Sequence, residues 1–301
     1  MKRILSLILT ALMLAVNLTG CFKADGAVEK TSEPAPVKTK EESVVLPSKA
    51  SGLELETYTG DGFSIKIPKG WVVSTVGDGV YLGINVQNPE DDGMSFFRYG
   101  KLEPVLKSQA ARASWEKWGP ITGNGSGEMF AHAPVLEDKT AKGILEVWGE
   151  FVEFQNYLGQ SVTFAPLKNI NVTGAESVSG ILSAAGIPEY TANAACETQS
   201  GKPAEISVYA GIADVGYMDT FEEGIDTYYM SVYELNGAIV PEGCDEAVKK
   251  SIAECLTSLE FSEEFVNKAN EQSDAGLAAI LQRSKENEIM MDAFMIMWGY
   301  Y

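Results

Sequence analysis

Residues 57–73, TYTGDGFSIKIPKGWVV, decide how the folded part of this chain is read. Phe63, Ile65 and Ile67 alternate with Ser64 and Lys66, the two-residue period of a strand with one buried face. Gly60-Asp61-Gly62 predicts the turn into that strand and Pro68-Lys69-Gly70 the turn out of it, with a second strand beginning at Trp71-Val72-Val73. Further strands are predicted at Val80–Val86 and Met94–Tyr99, separated by the acidic turn Asn88-Pro89-Glu90-Asp91-Asp92-Gly93.

Helical spacing follows. Ala111, Trp115 and Trp118 recur at the period of a helix that Gly119-Pro120 stops. From Thr140 to Leu158 a single long amphipathic helix is predicted, with Leu145, Trp148, Val152 and Gln155 on one stripe flanked by Ile144, Phe151 and Phe154. Strands return at about 161–164, 169–173, 192–198, 204–212 and 227–235, with Ser200-Gly201-Lys202 as a hairpin turn. Asp245 is positioned to cap a helix carrying Val248, Ile252, Cys255 and Leu256 on one face, ended by Ser258-Leu259-Glu260-Phe261. Strands, helices, then strands and a helix predict an α+β domain over residues 52–262, a mainly antiparallel sheet packed with helices. Residues 263–301 form a helical tail that begins polar and ends in IMMDAFMIMWGYY; its methionines suit irregular contacts with the domain or a partner. A chain closing on Trp298, Tyr300 and Tyr301 also reads as interrupted.

Working back toward the N-terminus, residues 1–20 have the form of a signal peptide. Lys2 and Arg3 precede an uncharged run from Ile4 to Val16 in which Ser6 and Thr10 are the only polar residues. That run falls short of the roughly 20 apolar residues that span about 30 Å of hydrocarbon. Leu18-Thr19-Gly20 then stands directly before Cys21, and this tetrapeptide resembles the bacterial lipoprotein box. The resemblance implies recognition at Leu18, Thr19 and Gly20, cleavage before Cys21, and a lipid on the Cys21 thiol. Two or more acyl chains hold a protein stably where one does not, at about 0.8 kcal/mol per buried methylene. Residues 21–51 read as a disordered tether: Lys, Glu, Pro, Ser and Thr dominate, and five acids and five bases alternate without an apolar period. Its root-mean-square span is on the order of 30 Å. The expected location is the outer face of a cell membrane, held by Cys21.

Composition excludes some partners. The formal charge of −19 becomes −21 once a leader with two cations and no acid is removed. Such a surface repels phosphate backbones and anionic headgroups, which argues against nucleic acid and against polybasic membrane docking. No cofactor or metal is expected. His132 is the only histidine, so multi-histidine zinc sites are excluded, and it reads as a loop or edge residue. Glu90, Asp91 and Asp92, and Asp219 with Glu222, Glu223 and Asp226, lack calcium-loop spacing and read as solvated turns. Gly123 to Gly127, GNGSG, follows a helix stop instead of a strand and reads as a flexible connection. Ser114-Trp115-Glu116-Lys117 matches S-x-x-K, without the companion motifs of the serine-lysine acyltransferases. Cys196, Cys244 and Cys255 leave an odd thiol after Cys21; Cys255 fits an apolar stripe, and Cys196 with Cys244 is the pair to test. Tyr99, Trp115, Trp118, Trp148, Tyr228, Tyr229 and Tyr233 read mostly as core or sheet-face residues, with a pocket lining as the other reading.

GFSIKIPKGW, NPEDDGMSFFRYGKLEPVLKSQAA, the APVL of Ala133 to Leu136 and the tail from Phe265 resemble a family of uncharacterised exported lipoproteins of Gram-positive bacteria. In such relatives the chain continues past the helix matching Met290 to Trp298, which implies truncation here. More distantly, FSIKIPKGW and the closing helix with SLEF resemble the PsbP-type domain, which implies an α/β/α sandwich. The expectation is a membrane-tethered binding or accessory module of the cell envelope, with its protein or small-molecule partner open. The alternatives are a cell-envelope hydrolase with an unrecognised carboxylate or serine site, and a degenerate copy without a retained role.

Overall fold

The computed structural model describes residues 52–121, 126–160, 164–180, 182–217, 224–225, 228–272 and 298. The quoted stretch opens it as anticipated, preceded by a strand the periodicity did not announce. β1 (Leu55–Thr59) pairs antiparallel with β2 (Phe63–Pro68), placing Tyr58 opposite Ile65. Gly62 takes φ +78° in the turn between them, a left-handed conformation open to glycine at little cost. β3 (Val72–Val76) begins a second sheet with β4 (Gly83–Gln87) and β5 (Ser95–Leu106).

Helices follow. α1 (Gln109–Trp118) is capped by the Ser108 hydroxyl, which accepts from the Ala111 N–H. α2 (Ser126–His132) occupies part of the segment read as a flexible connection. The helix predicted over Thr140–Leu158 is two helices, α3 (Ala141–Glu146) and α4 (Trp148–Tyr157), which corrects that expectation. Val147 between them leaves the helical region at φ −107°, ψ 21°. The break leaves the stripe in phase: Leu145, Trp148, Val152 and Gln155 are all buried. It also lets the Trp148 indole N–H donate to the Ala165 carbonyl at 2.9 Å.

The remaining strands are β6 (Lys168–Val178), β7 (Glu189–Glu197), β8 (Pro203–Tyr217) and β9 (Tyr228–Pro241). With β3, β4 and β5 they make a seven-stranded sheet in the order β3-β4-β5-β9-β8-β7-β6, antiparallel at every described pairing. α5 (Glu246–Thr257) is capped by Asp245 as the sequence indicated, and β10 (Glu260–Phe261) joins β2 to complete a three-stranded sheet, β1-β2-β10. α6 (Glu263–Gln272) packs back on the domain through Phe265, Val266 and Ala269.

The large sheet has two covered faces. On one, Trp148 and Phe151 of α4 and Ile144 and Leu145 of α3 pack with Phe97, Tyr99, Phe164, Ile206, Val208 and Leu235. On the other, Ile252 and Leu256 of α5 and Phe63, Ile65 and Ile67 of β2 pack with Ile84, Val86 and Phe96. Adjacent Phe96 and Phe97 thus serve opposite cores, which is the pleat of a strand read in two side chains. The chain is an α+β fold, a mainly antiparallel sheet packed with helices.

One predicted strand is corrected. Val80–Val86 is a 3-10 turn over Gly79–Tyr81 followed by the shorter β4, because Gly77 and Gly79 adopt φ +70° and +56° and coil the chain before pairing resumes. Residues 161–163 of another lie outside the described residues.

Candidate functional site

Leu18, Thr19, Gly20 and Cys21 lie outside the described residues, as do Asp219, Glu222, Glu223 and Asp226. Of the other candidates, the Ser114 hydroxyl is buried without a hydrogen-bond partner, while Lys117 is exposed with its ammonium 4.6 Å from the Trp118 ring centroid. Lysine therefore does not activate the serine in this arrangement. His132 ends α2 instead of lying in a loop, exposed and stacked on Tyr157 at 3.9 Å between centroids. Asp91 and Asp92 receive the Lys202 ammonium at 3.0 and 3.4 Å, fastening the β4–β5 turn to the β7–β8 turn. Cys196, Cys244 and Cys255 are free thiols. Cys196 belongs to the core under α3 and α4 and Cys244 packs against the core under α5, so the sheet that separates those cores also separates the pair. Burial pushes Cys196 up to about 11 and Cys255 up to about 12, far from thiolate chemistry. Trp115, Trp148 and Tyr233 are buried, in keeping with a core role.

Tyr99 is equally a core residue and also borders a cavity. Its ring packs on Phe164 at 4.4 Å, and the residue lines a cavity of about 100 Å³ between the middle of β5 and the C-terminal half of α4. Leu102, Val105, Phe151, Phe154 and Leu158 supply apolar wall. Three polar atoms of lining residues are buried without a hydrogen-bond partner at full hydrogen-bond geometry, Tyr99 Oη, Gln155 Nε2 and Gln160 Oε1, although the Gln155 amide lies close enough to the Tyr99 hydroxyl to draw its pKa down. Tyr99 and Gln155 are only 1% and 2% exposed. The orientation of the Gln155 amide is set by its other end, since Oε1 accepts from the Phe164 N–H at 2.6 Å and leaves Nε2 to face away as a donor. By its spacing in the sequence Gln155 falls on an apolar helical stripe. A polar residue at such a position is the signal that points here.

Compared with known proteins, the chain matches no family model and no curated protein.

At the rim of the same cavity, Glu103 accepts from Lys101 at 2.8 Å and from the Tyr81 hydroxyl at 2.5 Å on Oε1, and from Ser231 on Oε2. Burial pushes the Glu103 carboxyl up, but the Lys101 ammonium and the two hydroxyls outweigh it and hold it below its ordinary value. Lys101 also lies 5.4 Å and 5.8 Å from the Tyr81 and Tyr233 ring centroids. Both rim charges are thus spoken for by each other. Burial pushes the Tyr99 phenol up to about 12, so it stays a neutral hydroxyl across the physiological range. Lys101, Glu103, Gln160 and Ser231 carried no sequence pattern and were not anticipated.

A second concavity of about 700 Å³ lies between the β1-β2-β10 sheet and α6, open and crossed by a Lys268–Asp78 pair at 2.6 Å. None of its described lining residues has a buried side-chain polar atom without a partner. Among the described residues, no group of His, Cys, Asp and Glu is arranged to hold a metal ion, and no helix is long and apolar enough to cross a membrane.

Proposed function

We propose that this chain is a lipid-anchored, outward-facing binding module of a bacterial cell envelope, and that its binding site is the cavity at Tyr99, Gln155 and Gln160. The anchoring half rests on Lys2, Arg3, the apolar run, and Leu18-Thr19-Gly20 before Cys21. The tether of residues 21–51 supports it by providing reach between a lipid at Cys21 and the folded domain. The likeness to exported lipoproteins of Gram-positive bacteria, and more distantly to PsbP-type domains, belongs to the same reading.

One observation carries the binding half. Buried hydrogen-bonding atoms are almost always paired, because leaving one unpaired costs about 1–3 kcal/mol. Three of them on residues that line one cavity support a place where the fold leaves polar capacity for something else. The hydrolase alternative finds less support. Glu103 is the one carboxylate among the cavity's described lining residues, and glycoside hydrolysis calls for two. Its partners keep Glu103 ionised, the opposite of what a general acid at neutral pH requires.

Anchoring is tested by labelling cells that express the wild type or Cys21→Ser with a radioactive palmitate. Label and membrane fractionation are expected in the wild type alone. Equal label in both would overturn the anchor.

A further inference from the structure

We infer that the open concavity between the β1-β2-β10 sheet and α6 binds an extended organic cation carrying several alkylammonium groups, the chemistry of a polyamine or of a lysine-rich peptide. The site stands apart from the Tyr99 cavity and rests on none of its atoms. Its volume of about 700 Å³ lies within the roughly 300–1,000 Å³ of ligand clefts. Its charged groups are within reach of solvent, since Asp61, Asp78, Glu260, Glu264 and Lys268 are all exposed.

Charge selects the sign of the ligand. Four carboxylates line the cleft against one ammonium, and a concave wall of mostly one sign concentrates ions of the other. The cleft already takes an alkylammonium group from its own chain: Lys268 donates to Asp78 Oδ2 at 2.6 Å. Asp78 foremost, with Asp61 behind it, holds the Lys268 pKa above its ordinary value, so two carboxylates act on that one ammonium. Asp61, Glu260 and Glu264 make no ion pair among the described residues.

Placement then selects the class of cation. The carboxylates come from separate parts of the fold: Asp61 from the β1–β2 turn, Asp78 from just before the 3-10 turn, Glu260 from β10 and Glu264 from α6. Among the described residues no group of such side chains converges to hold a metal ion. Separated carboxylates suit ammonium groups spaced along a chain. Tyr58 and Phe261 line the same cleft half-buried, and alkyl stems pack on apolar surface of this kind while their charged ends stay in water.

The test is nuclear magnetic resonance titration of the purified full chain with spermidine, acetyl-trilysine amide, glutarate and 1,5-pentanediol as separate probes, following the backbone amides of Gly62, Ser262 and Lys268. At least one of the two cations is expected to shift them saturably, with a dissociation constant of about 1 mM at low salt, because exposed ion pairs are individually weak. The tighter of the two names the source, free amine or peptide. Glutarate and the diol are expected to be at least about tenfold weaker. Lys268→Met removes the internal competitor for Asp78 and should tighten the cation about threefold, whereas Asp61→Asn and Glu264→Gln should each weaken it about threefold. Lys66→Met makes the same change in net charge outside the cleft, where Lys66 pairs with Glu254, and should leave the affinity as it was. All four substituted side chains are exposed. A Lys268→Met variant that binds no tighter, or a Lys66→Met variant that tightens equally, would overturn the site. So would glutarate or the diol binding as strongly as the cations, or no saturable shift with any probe; the Tyr99 cavity is untouched by each of these outcomes.

Discussion

Glu103 is held ionised against a wall of aromatic side chains, and the sign of its effect on stability follows from its partners. Its folded-state pKa lies below the ordinary 4.5, with the Lys101, Ser231 and Tyr81 hydrogen bonds outweighing desolvation. A depressed carboxyl contributes stability that is present above its unfolded pKa and is lost as pH falls through the lower, folded value. Wild-type protein is therefore expected to lose melting temperature as pH falls below the ordinary carboxyl value of 4.5, and Glu103→Gln to lose less over the same interval. At pH 7 the variant should be less stable by about 1–3 kcal/mol, because Lys101 then sits half-buried without its countercharge. Melting curves at pH 7 and below pH 4.5 for both proteins check this; parallel losses in the two would show that the pH dependence originates elsewhere. Glu189 is a second buried acidic residue, which accepts from the N–H groups of Gly180, Leu182 and Ser183 and from the hydroxyls of Ser183 and Tyr209. Glu189 is consumed in shaping the connection before β7, whereas the Glu103 cluster borders open volume.

Among the elements, β9 is the strand on which the register of the sheet depends, since β5 and β8 both pair with it. Gly237 sits in that strand opposite Phe97 and Val208, and a Cβ there would lie 2.4 Å from Phe97 Cζ and 2.7 Å from the Ser207 carbonyl oxygen. The aromatic ring and the neighbouring backbone thus occupy the space a side chain would need. Gly237→Ala is expected to cost about 2 kcal/mol by overpacking. Gly174→Ala on the edge strand β6, where the nearest atom is Asn193 Nδ2 at 4.0 Å, should change stability by less than about 0.5 kcal/mol. Urea midpoints of the two variants decide it, and equal losses would refute the packing explanation. Gly237 also shows why strand lengths were harder to read than strand positions. Glycine weakens the alternation that announces a strand, so β9 was expected to end at Leu235 although it continues to Pro241. Pro104 did the same to β5, which runs on to Leu106 with a shift of register between Leu102 and Val105. The break at Val147 was hidden because the apolar stripe continues across it, and periodicity reports which face is buried, not whether the backbone is continuous. For the candidate site, Gln155 and Tyr99 stood within patterns that named them, while Gln160, Lys101 and Glu103 come together only through the pairing of β5 and its packing under α4.

For the molecule as a whole, the excess of 19 negative charges sets two electrostatic effects against each other, and distance decides between them. Exposed pairs such as Lys66–Glu254 at 2.7 Å and Lys69–Glu54 at 2.9 Å favour the fold, but each contributes only about 0–1 kcal/mol. They are also short, so salt whose screening length is about 10 Å at 0.1 M weakens them little. The buried Arg98–Glu234 pair, joined by two hydrogen bonds, is shielded from solvent ions further still. Repulsion among the unpaired acids acts over longer distances, and it is this that the same salt suppresses. Folding draws those acids closer together, so screening should favour the folded state. Raising sodium chloride from 10 mM to 0.3 M is expected to raise the melting temperature by about 3 °C, the equivalent of about 1 kcal/mol for a domain of this size. Chloride is the appropriate salt, because sulfate would strengthen apolar burial as well and confound the two causes. A melting temperature that falls with sodium chloride would mean that the local ion pairs, and not the net charge, dominate the electrostatics of the fold.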